Sequence, residues 1–514
     1  MYPIHLTEYL DDLTIRAPSR TVLIDANATM TVVELRKRCL TTAVAIARRP
    51  VNATSIIAVY LPKSIDTVVA DIGIIYSCNA YMNLDIRQPA QRTRNILALT
   101  RPALLLTTRA LAGAVAELPE CPPLLFLEDI PASHSLTREK EDELLTARAN
   151  AIDADIMCII NTSGSTGTPK AVALTHRNFI DFTENSRAAG IWQGGEIVGS
   201  LSPQIFDIWS FELCMLMAGG STLVLLPENA ASFPARLLQN MATQHVSFIF
   251  WVPTIMVNIA NMDLLSSIPL PDLRTVWFAG EVFPTAKCNY WRAKLPQATF
   301  VNMYGPIEIT LDCCYHVLRR DFDDDEPIPI GKPFRNTSVL VLNDQGMPVR
   351  NGEEGELCIR GASLAQGYYN DPEKTAAAFT SSPLHTNYPE RIYHTGDIVA
   401  ANTDGELVFR GRKDTLIKHH GYRIELAEIE HVCIAQGHVK NCCAAYDKAR
   451  QRIVLFYEAD GTVEEADVRR SLRDILPRWM LPSDYRRLNF LPLNSNGKID
   501  RCALKASLEE RHNA

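Results

Sequence analysis

The sequence predicts a doubly wound α/β fold, followed by a smaller β subdomain and a compact α+β domain at the C-terminus. Three observations support this fold class. Apolar β-branched runs alternate with helical patterns before about residue 335, short strands between turn residues follow, and amphipathic helices alternate with strands from about residue 414 onward. Alternating strands and helices favour parallel sheets that are covered on both faces.

The predicted elements follow the chain in that order. Strands are expected at residues 55–60, 81–84, 103–107, 124–127, 157–160 and 222–226, and a helix at 65–77. In the β subdomain, strands are expected at 339–342, 355–360 and 406–410. In the C-terminal domain, helices are expected at Leu426–Ala435 and 464–476, and strands at 443–446 and 453–457.

Composition narrows the class of protein. The chain has 514 residues, a net charge of −8, 47% hydrophobic and 21% charged residues, which is the usual mix of a globular protein. The mild acidity argues against nucleic-acid or membrane-surface binding. No apolar stretch approaches the ~18–20 residues of a membrane helix, and the N-terminus lacks a signal-peptide pattern. The thirteen cysteines show no C-x-x-C spacing, so we expect reduced thiols in the cytoplasm, without disulfides or a zinc site.

A loop rich in anion ligands follows the predicted strand at 155–160. Residues 161–170 are N-T-S-G-S-T-G-T-P-K, with two glycines, several hydroxyls and a lysine. Glycine backbone lets N–H groups approach a phosphate, and hydroxyls and a lysine add donors and charge. A flexible polar loop is the alternative, but the preceding strand and the closing Pro-Lys favour a phosphate site. The spacing is not that of a P-loop NTPase.

This loop resembles the phosphate loop of the adenylate-forming superfamily. The resemblance is to the amino-acid adenylation domains of nonribosomal peptide synthetases and to the related D-alanine–carrier-protein ligases, and it covers nearly the whole chain through a series of ordered motifs. It implies a large N-terminal domain of two α/β lobes and a β subdomain at residues 1–411. A small C-terminal domain at 412–514 is then expected to rotate between half-reactions about a hinge near Asp414.

The resemblance also implies ATP and Mg²⁺ as ligands. An aromatic ring suits adenine, a carboxylate after a tight glycine turn suits two ribose hydroxyls, and a carboxylate oxygen suits Mg²⁺. Tyr304 and Asp397 are expected in the first two roles and Glu308 in the third. The residues assigned to ATP are Thr162, Ser163, Gly164, Ser165, Thr166, Gly167, Lys170, Gly280, Glu281, Asn302, Tyr304, Gly305, Asp397 and Arg412.

Two motifs in the C-terminal domain are assigned to separate half-reactions. The tight turn N-G-K-I-D-R at 496–501 presents Lys498, which the resemblance makes catalytic together with Glu308, because it bridges carboxylate, phosphate and ribose oxygens during adenylation. The segment G-Y-R-I-E at 421–425 is expected to face the active site during thioester formation. Gly421 would then leave room for a pantetheine arm.

The chain departs from the family pattern at two positions. Ile307 stands where the family has a threonine whose hydroxyl reaches the α-phosphate, and His394 stands for arginine in the Y-R-T-G-D motif. Losing one charge-assisted hydrogen bond costs roughly 1.5–3 kcal/mol, or about ten- to a hundred-fold in rate. Ile307 therefore bears on catalytic rate and not on fold.

An acyl pocket is expected around Asp207, which follows Phe206 as in the family motif whose aspartate pairs with an α-ammonium. The alternative role of Asp207 is to cap the helix that follows it. The remaining expected lining is Ile208, Phe211, Phe250, Trp277, Ala279, Met303, Leu311 and Asp312. The bulky side chains favour a small amino acid such as serine, alanine, glycine or diaminopropionate, and Asp312 suits a hydroxyl or a second amine. D-Alanine remains open.

The sequence thus predicts a free-standing enzyme that activates a small amino acid as aminoacyl-AMP with ATP and Mg²⁺. We expect it to pass the acyl group to the phosphopantetheine thiol of a separate carrier protein, since no G-G-x-S carrier site follows Arg501. Two alternatives remain open. One is a nucleotide-binding scaffold that Ile307 has impaired in catalysis, and the other is an acyl-CoA ligase of the same superfamily.

Overall fold

The computed structural model of the protein describes residues 3–131, 136–162, 169–413, 416–436, 438–459, 461, 463–492 and 499–509. Within these residues the strands form two large sheets, a five-stranded sheet, a two-stranded hairpin and a three-stranded sheet. Helices join the parallel strands of the two large sheets. This arrangement confirms the predicted α/β fold class.

The first lobe is built on a seven-stranded sheet. Its strands in spatial order are β18 (Gly367–Tyr368), β8 (Lys170–Thr175), β7 (Ile156–Thr162), β4 (Ala80–Asn83), β3 (Ile56–Val59), β5 (Leu104–Thr107) and β6 (Leu124–Phe126). The three central strands β3, β4 and β5 are buried throughout, as parallel strands between helices must be. Strands β7 and β8 pair antiparallel, so that Thr162 and Lys170 face each other across the hairpin.

The second lobe is built on a nine-stranded sheet. In spatial order the strands are β15 (Lys332–Pro333), β14 (Cys314–Val317), β13 (Thr299–Tyr304), β12 (Thr275–Phe278), β11 (Phe248–Trp251), β9 (Ile197–Ser200), β10 (Thr222–Leu225), β1 (Thr21–Ile24) and β2 (Thr29–Thr31). Strands β9 to β13 are parallel to their neighbours within this group. Open parallel sheets bind ligands beyond the carboxyl ends of their strands, and the predicted pocket residues lie at those ends.

The β subdomain is antiparallel, as its turn-rich sequence predicts. Strands β16 (Thr337–Leu342), β17 (Gly355–Gly361), β20 (Arg391–Ala401) and β19 (Phe379–Ser381) follow one another, and β21 (Leu407–Arg412) also pairs with β20. Strand β21 ends at Arg412, beside the predicted domain boundary.

The C-terminal part contains the hairpin of β22 (Leu416–His419) and β23 (Tyr422–Glu425), and the sheet of β24 (Asn441–Asp447), β25 (Arg452–Glu458) and β26 (Asp484–Arg487). It has its own apolar core, to which Ile429, Leu455 and Leu472 contribute. The helix predicted at 464–476 ends earlier, at Arg473. Pro477 accounts for this end, because in a continued helix its ring would clash with the carbonyl of Arg473, four residues earlier.

Helices cover the sheets. They are α1 (Thr7–Arg16), α2 (Val32–Ala47), α3 (Ile65–Tyr76), α4 (Ala90–Thr100), α5 (Arg109–Ala112), α6 (Arg138–Arg148), α7 (His176–Ala188), α8 (Asp207–Gly219), α9 (Pro234–Thr243), α10 (Pro253–Asn261), α11 (Thr285–Lys294), α12 (Pro372–Ala378), α13 (Leu426–Ala435), α14 (Glu465–Arg473) and α15 (Arg501–Glu509). In the part of the chain that the structure describes, no helix is long and apolar enough to span a membrane. All twelve cysteines whose state is described are free thiols.

Candidate active site

A cavity of about 150 Å³ lies where the two lobes and the C-terminal part meet. The first lobe contributes Thr162 at the end of β7, the second lobe contributes Asp207 at the start of α8, and the C-terminal hairpin contributes Gly421. Of the residues predicted to bind substrate or ATP, the cavity is lined by Thr162, Asp207, Ile208, Phe250, Ala279, Gly280, Gly305, Leu311 and Asp312. Residues more than 250 positions apart in the sequence thus share one wall.

Asp207 occupies the first turn of α8 and faces the cavity. Its Oδ1 accepts a hydrogen bond of 3.0 Å from the backbone N–H of Ile208. Asp207 therefore both contacts the N-terminal backbone of α8, which was the alternative role considered from the sequence, and lines the cavity. Burial raises the pKa of Asp207 to about 6, although the helix N–H groups lower it. A cationic group in the cavity would stabilise this carboxylate.

Bulky aromatic side chains form the base of the predicted acyl pocket. Phe211 and Trp277 stack with ring centroids 5.6 Å apart and an interplanar angle of 8°, and Phe250 packs on Trp277 at 5.4 Å. Phe211, Trp277 and Met303 are almost fully buried behind the cavity wall, whereas Phe250 lines it. This packing leaves little volume beside Asp207.

Asp312 is the second acidic group of the cavity wall. Burial raises its pKa well above the usual range, and the nearby Asp207 raises it further. Lys418 of β22 also lines the cavity and lowers the pKa of both carboxyl groups, while burial lowers its own pKa. Lys418 was not predicted from the sequence. The sequence offered one signal for its role: Lys418 lies three residues before Gly421, and the segment that begins at Gly421 was expected to face the site.

Polar side-chain atoms next to the predicted phosphate loop lack hydrogen-bond partners. Among the described residues, both polar side-chain atoms of Asn161 and the hydroxyl of Thr162 are buried without a hydrogen-bond partner. Buried polar atoms are normally satisfied, so unpaired ones beside a cavity suit a polar ligand. Lys170 lies close by, with its Nζ 3.5 Å from Glu425 and above the ring of Tyr368.

The predicted nucleotide-binding side chains form a hydrogen-bonded chain. The hydroxyl of Tyr304 donates to Asp397, and Arg412 donates to the same carboxylate and, at 3.0 Å, to the carbonyl of Thr395. Asn302 lies deeper, where its side-chain amide donates at 2.8 Å to the carbonyl of Pro329. Asn302 therefore supports the strand ends in the structure and does not line the described cavity.

Glu308 is completely buried and has a cationic and a hydroxyl partner. Its Oε2 accepts from Arg423 at 2.5 Å, and its Oε1 accepts from the hydroxyl of Tyr368 at 2.8 Å. Burial alone would raise the pKa of Glu308, but Arg423 and Lys170 hold it below the usual value. A carboxylate kept ionised at the edge of the cavity is a suitable oxygen ligand for Mg²⁺.

The C-terminal part docks on the site through three further contacts, two from the hairpin and one from α13. Glu281, predicted from the sequence to bind ATP, accepts from the backbone N–H of Gly421 at 2.7 Å and so holds the hairpin. The second contact is the Lys170–Glu425 ion pair. Arg92 donates to Glu428 at 2.7 Å in a buried ion pair. The roles of Arg92, Tyr368 and Arg423 were missed from the sequence, because each depends on contacts between distant segments.

Seven predicted site residues lie outside the described residues. They are Ser163, Gly164, Ser165, Thr166 and Gly167 of the phosphate loop, the hinge residue Asp414 and the catalytic candidate Lys498. Their assignments remain predictions.

The two lobes, the antiparallel subdomain and the docked C-terminal part define the fold of the adenylate-forming enzymes. Comparison with known proteins agrees: the family described as AMP-binding enzyme matches residues 13–369, and the chain belongs to this family. The prediction that the chain belongs to the adenylate-forming superfamily is thereby confirmed.

Curated relatives align along nearly the whole chain. Tyrocidine synthase 2 of Brevibacillus parabrevis is 30% identical over 522 residues, which cover 98% of this chain but only 14% of the relative. Zwittermicin A synthase ZmaJ of Bacillus cereus is 27% identical over 507 residues, covering 97% of this chain and 94% of the relative. The chain spans less than half the length of tyrocidine synthases 1 and 2 and of bacitracin synthase 1.

Solved structures share the fold at lower sequence identity. The Vibrio cholerae adenylation domain AlmE, in complex with glycyl-adenosine-5'-phosphate, is 20% identical with a TM-score of 0.84, covering 99% of this chain and 98% of that one. Holo-PA1221, which contains adenylation and carrier domains, is 24% identical with a TM-score of 0.82, covering 98% of this chain and 84% of that one.

Proposed function

We propose that the protein activates a small amino acid with ATP and Mg²⁺ and passes it to the phosphopantetheine thiol of a carrier protein. The observation that carries this proposal is the shared cavity, in which Asp207 lies on one wall and the Gly305–Ile307 turn on another, with Glu308 next to the turn. A cavity bounded by a carboxylate that can bind an ammonium and by a nucleotide-binding motif suits an amino acid bound next to ATP.

In the first half-reaction, a carboxylate oxygen of the amino acid attacks the α-phosphorus of ATP, and the bond to the bridging β-phosphate oxygen breaks to release pyrophosphate. Asp207 orients the substrate through its ammonium, while Thr162 and Lys170 donate to phosphate oxygens. Glu308 would hold Mg²⁺, which supplies charge neutralisation on the phosphates when bound. Lys498 is proposed to approach the same oxygens.

In the second half-reaction, the carrier thiol attacks the acyl carbon and AMP leaves. The docked hairpin supports this assignment: Gly421 lines the cavity, and Arg423 donates to Glu308 as its cationic partner. We propose that residues 412–514 move as a unit between the two steps, with the hinge near Asp414. With Arg423 Nη1 2.5 Å from Glu308 Oε2, a metal ion on the same carboxylate would be repelled by the guanidinium, so the docked hairpin would disfavour metal binding there.

The pocket favours a small substrate with a polar side chain. The Phe211–Trp277 stack fills the base, and Asp312 needs a hydroxyl or a second ammonium as partner if it is to ionise. We propose serine or diaminopropionate first, with alanine, glycine and D-alanine as further candidates. Transfer to a separate carrier is also proposed, and ZmaJ, of which this chain covers 94%, provides a relative of comparable length.

The test is amino-acid-dependent exchange of labelled pyrophosphate into ATP over a panel of L-, D- and β-amino acids. We expect exchange with one or a few small amino acids, and its loss in Asp207→Asn. Absence of exchange across the panel, with ATP still bound, would instead favour a catalytically impaired scaffold. The observation that favours this scaffold alternative is Ile307. Its buried aliphatic side chain lines the cavity at the position where the family has a hydroxyl.

The acyl-CoA ligase alternative is tested in the same assay. Free coenzyme A with simple carboxylic acids replaces the carrier and the amino acids. Product formation in that arm, with none from amino acids, would overturn the proposed substrate class while leaving the family assignment unchanged.

A further inference from the structure

A second cluster of chemically reactive side chains lies in the β subdomain, apart from the active-site cavity. Glu356 and Cys358 alternate along β17, so both project from the same face of the strand. His394 of β20 is the cross-strand partner of Cys358, and a register irregularity between Glu356 and Cys358 accompanies this pairing. Strand pairing therefore brings a carboxylate, a thiol and an imidazole to one point of the sheet.

The distances within this cluster match those of a metal site. His394 Nδ1 lies 3.3 Å from Cys358 Sγ and 3.3 Å from Glu356 Oε2, and the three ligand atoms lie within 4.8 Å of one another. Tetrahedral zinc with ordinary bond lengths requires an N···S separation of about 3.6 Å and an N···O separation of about 3.3 Å. The two separations measured from His394 therefore lie within a few tenths of an ångström of these values.

The imidazole is also held in a suitable orientation. The second ring nitrogen of His394, Nε2, lies 3.0 Å from the hydroxyl of Thr380 on β19. An Nε2–H donating to Thr380 leaves Nδ1 unprotonated and free to ligate. Metal-binding histidines typically donate their other ring N–H in this way.

From these observations we propose that Glu356, Cys358 and His394 bind a divalent transition-metal ion, with zinc as the best-fitting metal. One thiolate, one imidazole and one carboxylate suit Zn²⁺ better than Mg²⁺ or Ca²⁺, which require oxygen ligands. Three protein ligands leave one position for water. The His394 side chain is 31% exposed, which provides a path for entry.

The surroundings of the cluster accommodate the added charge. Lys413 Nζ lies 3.5 Å from Glu356 Oε2, and also 2.8 Å from the exposed Asp344, so the ammonium keeps an anionic partner when a metal takes Oε2. The other oxygen, Oε1, accepts from the N–H of Gly396 at 3.0 Å and keeps Glu356 in place. The Cys358 thiol would release its proton when the metal binds, since the thiolate is the ligand form.

Sequence spacing carries no sign of this site. The ligands follow a Glu-x-Cys pattern on one strand and a single histidine on the next, and the C-x-x-C spacing on which the expectation of no zinc site rested is irrelevant to them. His394 is itself the departure from the family arginine. The cluster is separate from the proposed Mg²⁺ ligand Glu308.

The experiment titrates the reduced, chelator-treated full chain with Co²⁺ in excess Mg²⁺, which occupies oxygen-only sites. We expect one Co²⁺ per chain, a thiolate-to-metal charge-transfer band and the intense d–d bands of tetrahedral geometry, all displaced by Zn²⁺. The variants C358S, H394Q and E356Q should each weaken binding by about 100-fold or more, because losing an outer-shell partner alone costs about 10- to 100-fold. E356Q keeps the shape of the side chain and the contact with the N–H of Gly396. A loss of Co²⁺ binding in this variant is therefore not explained by unfolding.

Matched controls are C121S, at a half-buried cysteine, and H385Q, at a histidine beside Glu390 in the same subdomain. Both should bind Co²⁺ as the unmodified chain does. A Co²⁺ spectrum without the charge-transfer band, or binding that is equal in the unmodified chain and the three ligand variants, would overturn the proposal. Circular dichroism of every variant verifies that the fold is retained.

Discussion

Arg423 donates from Nη1 to Oε2 of the completely buried Glu308 across 2.5 Å, although 115 positions separate the two residues. The contact joins the C-terminal hairpin to the residue proposed to hold Mg²⁺. The proposed metal ion and Arg423 would compete for this carboxylate. Under the proposed function, the ion pair would therefore belong to the state that serves the second half-reaction.

The first prediction separates the two half-reactions at this ion pair. Removing one partner of a buried pair costs about 3–5 kcal/mol in the state that contains it. In Arg423→Ala, the docked state should lose this stabilisation, so transfer to the carrier falls by about 100-fold while pyrophosphate exchange is retained. Exchange and single-turnover carrier loading are measured separately. The exposed Arg478 offers a control, and Arg478→Ala should change neither rate.

If Arg423→Ala lowered exchange and loading by the same factor, Arg423 would belong to both steps. Its proposed role in the docked state alone would then be wrong.

The second prediction concerns recognition of the ammonium. Truncating one partner of a buried charge pair costs about 2–5 kcal/mol, which corresponds to about 30-fold or more in kcat/KM for the amino acid. We expect this loss in Asp207→Asn, with KM for ATP nearly unchanged, because Asp207 is proposed to pair with the ammonium of the amino acid and is assigned to no group of ATP. An equal loss of affinity for both substrates in the exchange assay would contradict the assignment.

The pH dependence provides a third prediction. Burial raises the pKa of Asp207 to about 6 in the free protein, so the carboxylate is protonated below that pH and cannot pair with an ammonium. kcat/KM for the amino acid should therefore fall about tenfold per pH unit below pH 6 and level off above it. Exchange at subsaturating amino acid checks this profile. In Asp207→Asn the drop near pH 6 should disappear, and a persistent drop would assign it to another group.

Local structure was largely predictable from the sequence, whereas contacts between segments were not. The helix at Leu426–Ala435 has the predicted bounds, because its periodicity and its acidic first turn are local signals. Tyr368 carries no such signal: its hydroxyl reaches Glu308 only because β18 pairs with β8 at the edge of the first lobe. The partners of Arg423 depend in the same way on docking of the C-terminal hairpin.

The fourth prediction concerns Ile307. Replacing it with threonine should raise exchange by about ten- to a hundred-fold, because a hydroxyl at this point of the cavity wall can donate to the α-phosphate. The fold should lose a little stability from reduced apolar burial. Ile309 is fully buried but does not line the cavity, so Ile309→Thr should destabilise without raising exchange. Equal exchange before and after Ile307→Thr would show that the missing hydroxyl does not limit the reaction.

The last prediction concerns Gly421 at the tip of the docked hairpin. Its φ of +82° lies in the left-handed region, and a Cβ at this position would meet Val252 Cγ1 at 2.8 Å. Gly421→Ala should therefore push the hairpin away from the cavity and break the Glu281 contact, so that carrier loading falls while exchange is retained. Gly346 has a similar φ of +73°, and a Cβ there would meet nothing within 4 Å, so Gly346→Ala carries the backbone strain without the clash. Equal loading defects in both variants would trace the effect to backbone strain and not to hairpin docking, and thermal melting of each variant measures that strain independently.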